Sequence, residues 1–187
     1  MVTLIDIDPE VLDVFVDWLY TQRLPQLGGW TSAIKGMGTG KWEVSPRIHA
    51  IALAMVKVLV FGDRFSSPKF YRHVNTYLVD WLCALKCPPP YPTVIYAFEH
   101  LPSEKSILQL LAELQYLHWR PYMDTDEAQK LYDRLPQEFL LRVMKKLGSS
   151  FEADVNVCKY HEHADGIERA RCKGNKREWE QQATAQR

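Results

Sequence analysis

Asp8-Pro9-Glu10-Val11-Leu12-Asp13-Val14-Phe15-Val16-Asp17-Trp18-Leu19-Tyr20-Thr21-Gln22-Arg23-Leu24-Pro25 reads as one complete, punctuated helix, and the rest of the chain can be read outward from it. Asp8 is placed to cap the first turn, Pro9 suits the first helical position, and Glu10 adds negative charge where the helix dipole favours it. Val11, Val14, Phe15, Trp18 and Leu19 recur at helical spacing on one face, Asp13 and Asp17 lie towards the other, and Pro25 follows the end. An apolar face of that width must be covered by something.

The covering partner comes after a glycine-rich stretch, about 26–45, that loses all periodicity and reads as a loop insertion. From Pro46 onward, Ile48, Ile51, Ala52, Met55, Val56 and Leu59 recur at helical spacing, and Gly62-Asp63 ends the run. The two stripes predict that Val11, Phe15, Trp18 and Leu19 pack against Met55, Val56 and Leu59. Ser67 caps a third helix with Pro68 at its first position and Phe70, Val74, Tyr77, Leu78 and Trp81 on its inner face. Cys87-Pro88-Pro89-Pro90-Tyr91-Pro92 cannot continue that helix and marks a subdomain boundary.

Beyond the prolines, Thr93 to His100 forms a short helix, and Ser103 caps another whose stripe is Ile107, Leu110, Leu111, Leu114 and Leu117. Pro136 opens a last helix with Phe139, Leu140, Val143, Met144 and Leu147 inside and Gly148 placed to end it. From about residue 173, Lys, Glu, Gln, Ala and Thr dominate, a composition expected to be disordered or a frayed helix.

The acidic-Pro-Glu start, then Phe15, then Trp18-Leu19-Tyr20-Thr21 and Arg23 before Leu24-Pro25, resembles the BTB/POZ domain in its fungal form. Ala54 to Leu59, Phe61-Gly62-Asp63-Arg64-Phe65 and Pro68-Lys69-Phe70 are similar in order to that family's helix, joint and next helix. The resemblance implies a mainly α (α+β) fold: residues 1–86 as the C-terminal part of a BTB/POZ-like domain, opening at about its third strand, Val2-Thr3-Leu4-Ile5. Residues 87–155 would be the helical extension, and 156–187 a Cys/His-containing loop with a basic tail. The family's N-terminal dimer-forming helix and strand have no counterpart upstream of Val2.

The 187 residues suffice for one domain plus a tail, and 23 basic residues balance 23 acidic ones. No global field therefore points to nucleic acid or an anionic membrane. The longest apolar stretch, Ile48 to Phe61, is broken by His49 and Lys57 and is shorter than the roughly 20 residues a bilayer requires. With no secretory signal at the start, the expected location is intracellular, cytoplasmic or nuclear.

The candidate site is Cys158, His161, His163 and Cys172: two thiolates and two imidazoles suit tetrahedral zinc, although Cys-x2-His-x-His-x8-Cys is not a standard finger. No general base or open coordination position accompanies them, so a zinc held there would be structural. The competing reading is an exposed polar loop with inert thiols. The stretch also resembles the Cys-x-Tyr-His-x-His ending, with a later Cys, of many fungal BTB-like proteins.

Elsewhere the chemistry is thin. Lys35-Gly36-Met37-Gly38-Thr39-Gly40-Lys41-Trp42 fails the phosphate-loop pattern, because Lys35 stands where the first Gly belongs and Trp42 replaces the magnesium-binding hydroxyl. Cys83 and Cys87 read as a core thiol and a boundary thiol, and His49, His73, His100 and His118 as ordinary helix histidines. Ser149-Ser150 lacks a nucleophile elbow.

The resemblance therefore implies a non-catalytic protein-protein interaction module with no cofactor, acting as an adaptor for cullin-RING ubiquitin ligases or a transcription-related scaffold, with homo- or heterodimers as partners. The alternative is a small zinc-stabilised nucleic-acid-binding or regulatory protein built on Cys158 to Cys172 and the basic run Arg169, Arg171, Lys173, Lys176 and Arg177. Removing the upstream half of such a domain would also expose apolar surface and favour association.

Overall fold

The computed structural model describes residues 8–26, 29–30, 44–148 and 157–172, with the backbone alone described at 44–46, 157 and 170–172. The main helices are α1 (Pro9–Thr21), α2 (Val44–Arg64), α3 (Pro68–Leu85), α4 (Tyr91–His100) and α5 (Ser106–His118). A short linker with the single turn α6 (Asp126–Gln129) leads to α7 (Gln137–Gly148), and α8 (Gly166–Cys172) closes the described chain. The chain is mainly helical, and no strand occurs among the described residues. Val2-Thr3-Leu4-Ile5, most of the glycine-rich insertion including residues 35–42, Ser149-Ser150 and the tail beyond 172 lie outside them.

Helix α3 shares the centre of the molecule with α2. It packs on α2 and α5, while α2 also carries α1 and α4, and α7 lies on α5 and α4. Phe70, Tyr71, Val74, Asn75, Leu78, Val79, Trp81 and Leu82 are all buried, so α3 is covered on more sides than the single face its apolar spacing implies. One continuous core joins Val14 and Trp18 to Met55, Val56, Leu59, Leu78, Leu110 and Leu114 across the proline run.

The predicted packing of α1 on α2 is present, with one correction. Val11, Val14 and Trp18 are buried, and Phe15 packs at 5.1 Å from Phe61 and 5.0 Å from Phe70 between ring centroids. Leu19 instead faces outward, because Val14 fills the inner position and Leu19 falls at the edge of the stripe. The helix ends with Gln22 in the left-handed region at φ 54°.

Three capping expectations also fail. Asp8 makes no side-chain cap, its carboxylate being taken by Lys57 Nζ at 2.5 Å, Ser67 stands at the N-cap of α3 but its hydroxyl makes no capping bond, and α5 begins at Ser106 rather than after Ser103. Gly62 does not end α2, which runs on to Arg64. A Cβ at Gly62 would lie 3.1 Å from Phe70 Cδ1 and 3.2 Å from Tyr71 Cα, so glycine is needed for the close approach of α3, not for termination.

The largest correction concerns α7. Phe139 is buried against Phe98, ring to ring at 5.6 Å, and Val143 is half-buried, but Leu140, Met144 and Leu147 are exposed. Tertiary contact covers a narrow side of this helix, whereas spacing counts every apolar residue as inward.

Candidate functional site

The segment from Val157 to His163 folds back over α3 and α5, and Tyr160 is its anchor. The ring is 2% exposed, and its carbonyl accepts from Asn75 Nδ2 on α3 and Ser106 Oγ on α5, each at 3.0 Å. Its hydroxyl donates to Glu113, which also accepts from Gln109 Nε2 at 3.2 Å and pairs with Lys146 Nζ on α7 at 3.1 Å. Burial alone would raise the Glu113 pKa, but donation from Tyr160, Lys146 and Gln109 outweighs it and holds the carboxyl below its usual range. One aromatic residue thereby ties three helices together.

The residues on either side of Tyr160 reinforce the docking. His161 is buried, with Nε2 3.1 Å from Asp80 Oδ1 on α3, an ion-pair approach without the alignment of a hydrogen bond. Burial pushes the Tyr71 phenol up, with the carboxylates of Glu162 and Asp63 adding to it. Lys105 answers Asp63 at 2.7 Å and lies over the Tyr71 ring at 4.4 Å.

Of the four candidate ligands, the structure brings Cys158 and His163 together, Sγ to Nε2 at 3.4 Å. The His161 ring lies 5.7 Å from that of His163, nearly perpendicular to it. Cys158 Sγ also lies 3.9 Å from the carbonyl of Arg169 in α8, three residues before Cys172, whose side chain is outside the described set. No three His, Cys, Asp or Glu groups stand close enough to hold an ion among the described residues. The histidines elsewhere lie in helices: Trp18 Nε1 donates to His73 Nδ1 at 2.9 Å, and His100 bonds the Tyr96 carbonyl at 2.9 Å. Burial pushes the half-buried Cys87 thiol up.

A second polar focus lies in the connection between α5 and α7 and ties it to Tyr91 at the start of α4. Asp124 accepts from Trp119 Nε1 at 2.8 Å, Tyr91 OH at 2.9 Å and Tyr132 OH at 2.6 Å. The Tyr91 phenol is pushed up by burial and then by Asp124, that of Tyr132 first by its bond to Asp124. Sequence reasoning missed Asp80, Glu113 and Asp124. Only Glu113 carried a signal, a carboxylate set between Leu110, Leu111 and Leu114 on an otherwise apolar helix.

The outer surface carries two apolar stripes. On α1, Leu12, Val16, Leu19 and Tyr20 are between 37% and 87% exposed, bordered by Asp13 and Asp17. On α7, Leu140, Leu141, Met144 and Leu147 are between 43% and 68% exposed. Beside this second stripe an open groove of about 460 Å³ is lined by Leu141, Gln109, Arg142, Lys145 and Lys146, with Glu138 its one acidic residue.

No family model, curated protein or solved structure matches this chain. Among the described residues, no helix is long and apolar enough to cross a membrane.

Proposed function

We propose that this chain is a non-catalytic protein-protein interaction module of the BTB/POZ kind, working inside the cell as an adaptor for cullin-RING ubiquitin ligases or as a transcription-related scaffold. The observation that carries the reading is the pair of exposed stripes on α1 and α7. A helix with apolar residues on both its inner and outer sides is suited to bury one in its own core and the other in a partner. The charges beside the stripes supply a preference: the α7 stripe runs beside Arg142 and Lys145, the α1 stripe beside Asp13 and Asp17. A second copy presenting its α1 stripe to α7 matches apolar to apolar and acid to base.

The expected behaviour is concentration-dependent association in sedimentation or light scattering, abolished by Leu140→Glu/Leu147→Glu with the melting temperature preserved. A concentration-independent monomer that also fails to bind a purified cullin N-terminal domain refutes the interaction reading.

A further inference from the structure

We propose that copies of this chain join head to tail, the α1 stripe of one copy seated on the α7 stripe of the next, in assemblies of more than two chains. The inference rests on the self-association proposed above and adds its symmetry. Leu12, Val16 and Leu19 stand at i, i+4 and i+7 of α1, and Leu140, Met144 and Leu147 stand at i, i+4 and i+7 of α7. All six are exposed. Residues so spaced form one outward ridge along a helix, and each ridge here runs for about 10 Å, so the two are matched in length.

Charge decides which ridge meets which. Asp13 and Asp17 are both exposed beside the α1 ridge, whereas Arg142 and Lys145 border the α7 ridge. Arg142 is already held by Glu138 at 2.5 Å, which leaves the exposed Lys145 as the cation to receive a carboxylate. Seating α1 on α1 would bring the aspartates of two copies together, and α7 on α7 would do the same with the basic groups. Like charges in register penalise both symmetric pairings, and the crossed pairing alone sets acid against base.

The placement of the ridges then sets the symmetry, and α4 shows it. Tyr96 lies under Lys57, whose Nζ is 5.8 Å from the ring centre and binds Asp8 at the start of α1. Phe98, two residues on and so about 200° round the helix, packs instead on Phe139 of α7 at 5.6 Å, with Arg142 over it at 5.5 Å. Helices α1 and α7 therefore lie on opposite sides of α4, and their outer ridges face away from it. Two copies could satisfy both crossed contacts around one two-fold axis only by presenting both ridges on the same side. Opposed ridges leave one free at each end of a pair, so the contact is heterologous and the next copy adds in the same way.

The test follows the mass of the full chain by sedimentation or light scattering as concentration rises, beside Leu12→Lys/Leu19→Lys in α1 and Leu140→Glu/Leu147→Glu in α7. The unaltered chain should pass the mass of two copies, and each variant alone should stay monomeric. Mixed in equal amounts, the two variants should form a dimer and stop there. The intact α7 of the first receives the intact α1 of the second, and both remaining ends are blocked. An unaltered chain that stops at two copies, a variant that still pairs with itself, or a mixture that stays monomeric overturns the head-to-tail order. The first two of these leave the interaction reading standing. A concentration-independent monomer overturns the order as well, and that reading then stands or falls on cullin binding alone. Where a variant fails to fold, the unaltered chain decides, growth past two copies supporting the order and arrest at two overturning it.

Discussion

Helices α3 and α7 carry apolar residues at similar helical spacing, yet α3 is buried on several sides and α7 has a single fully buried side chain, Phe139. The difference is one of position. Neighbours at α3 include α2, α5 and the returning Tyr160 segment, whereas α7 is an outer layer resting on α5 and α4. Identical periodicity therefore means core in one place and available surface in the other, and a helix's sequence alone does not record how many neighbours it will have.

The comparison breaks most visibly if substitution in α3 proves harmless. Leu78 is fully buried, so Leu78→Ala should cost about 2 to 5 kcal/mol in chemical denaturation, because the cavity cannot be filled by collapse from all sides. A loss below 1 kcal/mol, roughly the cost of a surface change, would mean that α3 is not at the centre. Tyr160→Phe should cost about 1 to 3 kcal/mol, since it removes one donor from buried Glu113 while Lys146 and Gln109 remain. An unchanged midpoint would show that the segment rests on the core without contributing to it.

Acid sharpens the contrast further. Burial lowers the pKa of His49 on α2, His73 on α3 and His118 on α5, with Lys69 adding to the shift at His73 and Arg120 and Lys86 at His118. The unfolded chain then binds more protons than the folded one below about pH 6.5, so stability is full above that value and falls as pH drops towards the folded pKa values. Thermal melts between pH 7.5 and 5 should show a declining midpoint, and amide exchange should accelerate in α2, α3 and α5. A midpoint that rises on acidification contradicts the assignment. The smallest effect belongs to α7: Leu140→Glu/Leu147→Glu should alter stability by no more than about 0.5 kcal/mol per site while reducing association.

Much of the fold was legible because its helices are strongly punctuated. Pro9, Pro68 and the run from Pro88 to Pro92 placed boundaries, and proline acts on its own backbone without reference to anything distant. What failed was whatever depends on a neighbour in space. Asp8 is taken by Lys57 from 49 residues away, Gly62 answers the approach of Phe70 and Tyr71, and the α7 leucines lack a cover. At the candidate site, spacing named Cys158 and His163, which meet. It could not show that His161 faces Asp80, because that contact spans the distance from α3 to a segment some eighty residues later.

Asp124 has a consequence for how this sequence can change. A single carboxylate serves Tyr91, Trp119 and Tyr132, so the tolerance of the four positions is unequal. Loss of any one donor leaves the acceptor still supplied by two others, and drift at 91, 119 or 132 is buffered by redundancy. Loss of the acceptor strands the part-buried donors of Tyr91 and Trp119 in one step and frees the exposed Tyr132 hydroxyl to water, which makes position 124 a common point of failure for the connection from α5 to α7. Among descendants of this chain, variation should therefore accumulate in the ring around that carboxylate long before it reaches the carboxylate itself.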